Sequence, residues 1–353
     1  MTFNIIGGNG PNFIRTVLVT GSAGFIGTYV CQLLLDRGFK VRGIDNYSKY
    51  GYIKRSHDDH PHYEFIEGDC KDVDLMREVM AGVDHVIHLA ALIGGLRFFN
   101  DHAYDMMAEN ERICASLFDA AINAHLTDNL KKVTLITSSQ VYEMTEEFPT
   151  PEDSTLMDPP PRSMYGFQKL AAEYFAEGAR LQHGLPYTIL RPFNAIGTGE
   201  EPGTYVDKAG QEVAMNHVVP EFIMKCLKSG GTEPIEMHGS GKQVRDFTHG
   251  VDFATAVAET LDINACKNQI YNVCGGMRLS MEDLLRAIHS LVYPDLDPNS
   301  LRIRYVKSFD NDVIYRYGDS SKLYRTTGWK PTKDLYGSLQ EIIDYVKTTV
   351  DKD

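Results

Sequence analysis

Tyr165 and Lys169 stand four residues apart in the run Tyr165-Gly166-Phe167-Gln168-Lys169. On a helix, positions i and i+4 share a face, so the ammonium can sit beside the phenol and favour its ionised form, drawing an ordinary value of ~10 toward neutrality. A phenolate held that way can take a proton from a hydroxyl group. Alone, the pair reads as well as an exposed Tyr/Lys contact. Its context decides otherwise: it follows a strand-like run ending Thr137-Ser138-Ser139-Gln140-Val141-Tyr142 and lies downstream of a nucleotide-binding pattern.

That pattern is Gly21-Ser22-Ala23-Gly24-Phe25-Ile26-Gly27, placed after one apolar run and at the opening of a helical stretch. Glycine suits it because the turn needs permissive dihedrals, a pyrophosphate must approach the backbone, and the helix must pack close to the sheet. The helix N-terminus then faces the anion. A lone glycine pattern reads equally as an ordinary turn, but Asp45 closes the next strand-like run roughly 20 residues on and completes a dinucleotide fingerprint. Its carboxylate accepts hydrogen bonds from an adenosine ribose diol and repels a 2′-phosphate, so the predicted cofactor is NAD rather than NADP.

The elements that must position these groups alternate. Strand patterns fall at 16–20, 39–45, 63–68, 83–89, 132–137 and 187–191, with helical patterns at 24–37, 73–80, 108–124 and 165–182 between them. Such alternation predicts right-handed crossovers and a parallel sheet covered on both faces, an α/β doubly wound (Rossmann) fold. After Phe193 the rhythm changes. Residues 197–211 carry four Gly and one Pro and read as a long loop, followed by a helix near 219–229 and mixed segments. The predicted division is a nucleotide-binding domain at 1–193 and a smaller mixed α/β substrate domain at 194–353, with part of 246–273 able to return to the first. The site is expected in the cleft between them, where such sheets bind ligands.

Composition narrows the partners. Of 353 residues, 35 are Lys or Arg and 48 Asp or Glu, a net charge of −13 that repels a phosphate backbone and argues against nucleic acid. An anionic small substrate remains compatible, because a few arginines in a cleft outweigh a diffuse field at contact distance. The most apolar stretch, 86–96, is about half of the roughly 20 residues a membrane span needs, and His88 interrupts it. The N-terminal stretch, with Arg15 as its first cation and Gly7, Gly8 and Gly10 breaking it, does not read as a signal peptide. Six cysteines (31, 70, 114, 226, 266, 274) form no CxxC pair, which with the rest predicts a reducing cytoplasm. His57, His60 and His62 beside Asp58 and Asp59 read as loop histidines, and no metal is expected. His88 reads as a hydrogen-bonded strand end, Trp329 as a packing residue, and Phe98-Phe99 and Met106-Met107 as core or interface.

In combination these motifs resemble the extended short-chain dehydrogenase/reductase family, in particular its nucleotide-sugar epimerases and dehydratases, from Arg15 to about Val346. The GxxGxxG spacing, His88-Leu89-Ala90-Ala91, Ser138 three residues before Val141, the Tyr165/Lys169 pair and Arg191-Pro192-Phe193-Asn194 carry the resemblance. Further on, the 239–247 run GSGKQVRDF, Arg316 three residues before Asp319, and Gly328-Trp329-Lys330-Pro331 extend it. The resemblance implies that Gly21, Gly24, Phe25, Ile26 and Gly27 hold the NAD pyrophosphate, Asp45 and Asn46 the ribose, and Asp69 and Cys70 the adenine. It places Leu89, Ala90 and Ala91 on the nicotinamide side, where Lys169 also holds the ribose. Ser138 is implied to hydrogen-bond the reacting sugar oxygen and Tyr165 to remove its proton while the C4 hydrogen leaves as hydride. Asn194, Arg245 and Arg316 are implied to clamp the sugar diphosphate, with Gly94, Gly95, Ser139 and Gln140 beside the sugar. A homodimer is the implied assembly.

Extra acid/base groups decide the fate of the sugar once C4 is oxidised. The family's 4,6-dehydratases place Asp-Glu or a lone Glu directly after the catalytic Ser/Thr, whereas this chain has Ser139-Gln140, and an amide does not titrate near neutrality. The expected activity is therefore a nucleotide-sugar 4-epimerase. A 3,5-epimerase resembling GDP-mannose 3,5-epimerase is the runner-up, because Gly94-Gly95 resembles that enzyme's pair, where missing side chains leave room for the hexose. Those enzymes place a Cys two residues beyond the catalytic Ser; Gln140 stands there, leaving Lys208 or His217 as a replacement base. A C4 oxidoreductase releasing a keto product, a 4,6-dehydratase disfavoured by Gln140, and a non-catalytic nucleotide sensor are the remaining alternatives, and the complete Ser138/Tyr165/Lys169 set stands against the sensor.

Overall fold

The computed structural model describes residues 15–200, 204–207 and 209–350, so Lys208 and the stretch before Arg15 lie outside the described residues. The first part of the chain runs β1 (Thr16–Thr20), α1 (Phe25–Asp36), β2 (Lys40–Asp45), β3 (Tyr63–Glu67), α2 (Val73–Val79) and β4 (His85–His88). Next come α3 (Leu96–Asp101), α4 (Ala103–Thr127), β5 (Lys132–Ile136), α5 (Met164–His183) and β6 (Tyr187–Pro192). Shorter elements continue the chain: β7 (Ala195–Ile196), β8 (Thr204–Val206), β9 (Glu212–Ala214), α6 (Val218–Ser229), β10 (Ile235–His238) and β11 (Val244–His249). The last elements are α7 (Gly250–Leu261), β12 (Gln269–Val273), β13 (Met277–Ser280), α8 (Met281–Val292), β14 (Ile303–Val306), β15 (Tyr315–Arg316), α9 (Ser321–Thr327) and α10 (Leu335–Val350).

Seven strands form one parallel sheet in the order β12-β6-β5-β4-β1-β2-β3. Val17, Leu18 and Val19 of central β1 are fully buried, as expected of a strand covered on both faces. On one face α2, α4 and α5 close a core around Leu18, Val86, Leu117 and Ala176; on the other, α1 and α7 pack together around Val30, Leu34, Phe253 and Val257. From β1 the chain winds outward through β2 and β3; from β4 it winds the other way. The crevice this reversal opens lies beyond the C-terminal ends of β1 and β4, where Thr20 and His88 are register partners.

A second apolar core, around Phe222, Ile223, Leu284, Ile288 and Ile343, joins α6, α8 and α10 to the small sheets of β10, β11, β13 and β14. Residues 250–273 are continuous with the first sheet: α7 lies along α1, and β12 pairs with β6 over its full length. Some elements differ from expectation, among them α3 (Leu96–Asp101), which the sequence pattern does not predict. α4 begins at Ala103 rather than 108, because Met106 turns inward while Tyr104 stays 71% exposed, a mixed pattern that hides the helical period. Within the expected long loop, β8 and β9 pair antiparallel around a turn in which the Asp207 carboxylate accepts from the backbone N–H groups of Ala209 and Gln211. Local side-chain-to-backbone bonds of this kind leave little periodicity to read.

Candidate active site

A cleft of about 840 Å³ opens at the crevice and takes in the glycine turn, the ends of β2, β4 and β5, the start of α5 and the first turn of α6. Gly21 has a left-handed backbone (φ 72°), and a Cβ there would lie 2.8 Å from the Ala90 nitrogen. Gly27 is equally confined: its Cβ would fall 2.1 Å from the Gly21 carbonyl oxygen. Gly24 caps α1 without any side-chain hydrogen bond, so Phe25 and Ile26 begin a helix whose N-terminus lines the cleft. Asp45 Oδ2 accepts from the Ala23 N–H and Oδ1 from the Tyr47 N–H. Burial raises this carboxyl above its ordinary range, and those two hydrogen bonds oppose the shift. Asn46, Asp69 and Cys70 line the cleft beside it.

Leu89, Ala90 and Ala91 follow β4 along the cleft floor. Thr20 Oγ1 accepts from the Leu89 and Ala90 N–H groups and so donates to His88 Nδ1 at 2.8 Å. Burial pulls His88 down to about 3, and its neutral ring is a structural acceptor at the strand end. Gly94 and Gly95 line the cleft too, but chain packing gives them a reason other than room for a hexose. A Cβ on Gly94 would meet the Phe98 ring at 2.8 Å, and one on Gly95 the Asn216 carbonyl oxygen at 2.3 Å.

Ser138, Tyr165 and Lys169 meet at the far end. Ser138 caps the short turn Ser139–Tyr142, accepting from the Gln140 N–H at 3.1 Å, and its side chain hydrogen-bonds Tyr165. α5 is capped by Ser163, whose Oγ accepts from the Gly166 N–H, so Tyr165 sits in the first turn and Lys169 one turn on, both buried. The Lys169 Nζ lies 5.8 Å from the centre of the Tyr165 ring. The expected fall of the phenol toward neutrality is not what the protein alone produces. Burial pushes Tyr165 up to about 12, against the Ser138 hydrogen bond and the Arg316 charge. Burial likewise pulls Lys169 down to about 8, opposed by Cys114 and Glu111. Desolvation dominates at both groups, and the positive charge that opposes it at Tyr165 is that of Arg316.

Arg245, Arg316 and Asn194 reach the cleft from the opposite wall. Arg245 is tied to Asp312 at 2.5 Å and to the Val313 carbonyl; burial, then the neighbouring Arg316 charge, pulls it down to about 9. Arg316 donates to Gln140 Oε1, and its Nε is buried without a partner. The Asn194 amide donates to the Asp246 carbonyl. Two guanidiniums, Arg245 buried and Arg316 half-buried, share this wall with the Asp312 carboxylate and suit it to an anion. His217 is hydrogen-bonded to Glu200 at the cleft edge; Lys208, the other candidate base, lies outside the described residues.

Residues 17–274 match the family described as the NAD dependent epimerase/dehydratase family. The chain belongs to that family. Among its relatives is UDP-glucuronate 4-epimerase 4 of Arabidopsis thaliana, 26% identical over 347 residues, covering 93% of this chain and 74% of that one. A UDP-glucose 4-epimerase from Thermotoga maritima, solved with UDP-glucose, superposes with TM-score 0.79 at 25% identity over 95% of this chain and all of that chain. A UDP-N-acetylglucosamine 4-epimerase from Methanobrevibacter ruminantium gives TM-score 0.78 at 27% identity, covering 95% and 99%. The fold is thus that of the epimerase/dehydratase family, and its cofactor is NAD. The residues present fit that cofactor: the cradle at Gly21 and Gly27 has no room for a side chain, and the helix end behind it has no side-chain cap.

Other residues of this epimerase/dehydratase family member carry no motif that sequence reasoning could use. Asn110, in mid-α4, accepts from the Leu92 N–H at 2.7 Å and donates to the Leu92 carbonyl at 2.9 Å, pinning the segment that follows β4. A buried asparagine inside a helix is disfavoured by propensity, and that was its signal. Asn216 lines the cleft with its Oδ1 buried and unpartnered, and Phe99 stacks on Tyr165 with ring centres 4.1 Å apart at 8°. His57 is buried edge-on against Tyr63 and pulled down to about 4 by burial. Among the described residues, no group of three or more His, Cys, Asp or Glu is placed to hold a metal ion.

Proposed function

We propose that the chain is an NAD-dependent nucleotide-sugar 4-epimerase working through transient oxidation at C4, with a UDP-sugar as the substrate class its relatives suggest. Gln140 carries the reading. It is 4% exposed; its Oε1 accepts from Arg316 and its Nε2 donates to Glu143 at 3.1 Å. An amide with both ends engaged thus stands where a dehydratase needs a titrating carboxyl.

NAD, when bound, supplies the acceptor for the C4 hydride and returns it. The Ser138 hydroxyl holds the sugar oxygen, and Tyr165 takes its proton and later gives it back from the same buried position. Lys169, held one turn below, keeps a positive charge near the phenol, which favours the ionised form the reaction needs. Asn194, Arg245 and Arg316 hold the diphosphate, so the sugar ring can turn between hydride departure and return while its tail stays fixed. On this reading Gly94, Gly95 and Ser139 border the sugar.

The working unit divides at residue 193 into cofactor-binding and sugar-binding parts, with 250–273 serving the first. A second copy of this chain is the partner we infer for the outer faces of α4 and α5. There Tyr104, Tyr174 and Leu181 are 71%, 72% and 69% exposed, large side chains whose exposure supports an interface. We place the protein in the cytoplasm, a reading supported by six free cysteines. No described helix is long and apolar enough to cross a membrane.

Turnover in heavy water tests the reaction. A 4-epimerase returns the substrate's own hydride to C4 and leaves C3 and C5 untouched, so product NMR should show inversion at C4 without solvent deuterium. Deuterium at C3 or C5 would refute the proposal in favour of 3,5-epimerisation, and NADH accumulating in step with product would point to a C4 oxidase.

A further inference from the structure

Glu143 does not itself line the cleft, yet its carboxylate is buried and fully engaged behind the cleft-lining Gln140. Oε1 accepts from the backbone N–H groups of Arg162 at 3.0 Å and Ser163 at 3.1 Å. Oε2 accepts from the Ser163 hydroxyl at 2.5 Å and the Gln140 amide at 3.1 Å. These donors belong to the two segments that carry the reacting pair. Glu143 ends the short turn that Ser138 begins, its own N–H donating to the Gln140 carbonyl. Ser163 caps α5, with Tyr165 two residues on. The two segments also touch directly: a Cβ on Gly166 would lie 2.8 Å from the Gln140 carbonyl oxygen. From Gln140 the chain of hydrogen bonds continues to Arg316.

We propose that Glu143 is a positioning residue of the reaction, fixing the Ser138 turn against the start of α5 so that the Ser138 and Tyr165 hydroxyls meet one substrate oxygen, and holding Arg316 in the cleft through Gln140. The inference rests on the reading of Ser138 and Tyr165 as the pair that handles the sugar oxygen. A carboxylate is suited to the place because it offers acceptors only, whereas a glutamine there would turn an N–H group toward donors in a buried site and leave one of them unpaired. A small shift between the two hydroxyls then reaches the chemical step, which depends steeply on geometry.

Glu143→Gln keeps the shape and tests the charge. Formation of bound NADH on mixing the NAD-loaded enzyme with its nucleotide sugar should slow at least ~10-fold, and kcat with it, while KM moves less than about threefold and NAD content is unchanged. Gln140→Met removes the link between Glu143 and Arg316 while leaving the Glu143 bonds to Arg162 and Ser163 in place, and should raise KM about fivefold or more. It remains informative if the first variant does not fold. A Glu143→Gln protein that loses thermal stability but forms bound NADH at the wild-type rate would show a stability cap and overturn the positioning role, as would an unchanged KM in Gln140→Met. Wild-type protein that forms no bound NADH with any nucleotide sugar would refute the functional reading, and this inference with it.

Discussion

Replacing Gly27 by alanine adds one methyl group at the most confined point of the cofactor cradle. The new carbon would stand 2.1 Å from the Gly21 carbonyl oxygen and 2.8 Å from the Ser22 Cα, both backbone atoms that cannot swing aside. The turn cannot retreat either, since Gly21 is itself packed on the backbone of Leu89 and Ala90. α1 must therefore move away by about 1 Å to restore contact distance, at an overpacking cost of about 1–3 kcal/mol. That movement would draw the helix N-terminus away from the pyrophosphate it is proposed to hold, so NAD affinity should fall about 10- to 100-fold, or about 1.4–2.7 kcal/mol. Gly38, just past the other end of α1, is the control. It has φ 82° and nothing within 4 Å of its added Cβ, so alanine there meets only left-handed backbone strain of about 1–2 kcal/mol. Calorimetric titration of NAD into stripped protein, beside thermal melts, separates the two. Gly38→Ala should lower Tm and bind NAD normally; Gly27→Ala should lose affinity. Normal NAD binding by Gly27→Ala would refute the reasoning.

A second substitution and a choice of ligands check the rest of the site. Tyr165→Phe should retain NAD and the fold while losing roughly 10² or more in turnover, because it removes only the proton acceptor; a fully active variant, measured by product formation, would dismiss Tyr165 as the base. The Asp45 carboxylate lines the cleft beside Ala23; if it meets the adenosine ribose as proposed, NADP(H) should bind at least ~10-fold more weakly than NAD(H). Equal affinities in the same titration would mean that Asp45 does not meet the ribose.

The cofactor half was legible because its signals are local. The buried run at 16–20, the glycine spacing and the carboxylate at Asp45 each report a backbone constraint that few residue types satisfy. The Tyr165/Lys169 spacing placed both groups on one helical face, but its electrostatic consequence was misjudged, because burial depends on what α4, α3 and the Ser138 turn stack around the phenol. Glu143 and Asn216 were invisible for a related reason. Their roles arise from segments that meet only in three dimensions, and a single Glu after Tyr142 carries no local mark. The β8–β9 ribbon was missed because three-residue strands leave no period to detect.

The placement of β12 constrains how this enzyme can be dismantled or recombined. A fragment ending at residue 193 would leave β6 as a bare edge, with a row of unpaired N–H and C=O groups inviting aggregation. It would also strip α7, with Phe253, Val257 and Leu261, from α1, and remove Leu323 and Trp329 from the core on that face. The seven-stranded sheet and its covering helices are thus assembled from separate stretches of chain, with the elements of the smaller sheets threaded between them. Exchange of substrate preference among relatives is therefore better attempted by grafting the segment from β8 through α6, which borders the cleft without contributing to the seven-stranded sheet, than by swapping everything after one cut point.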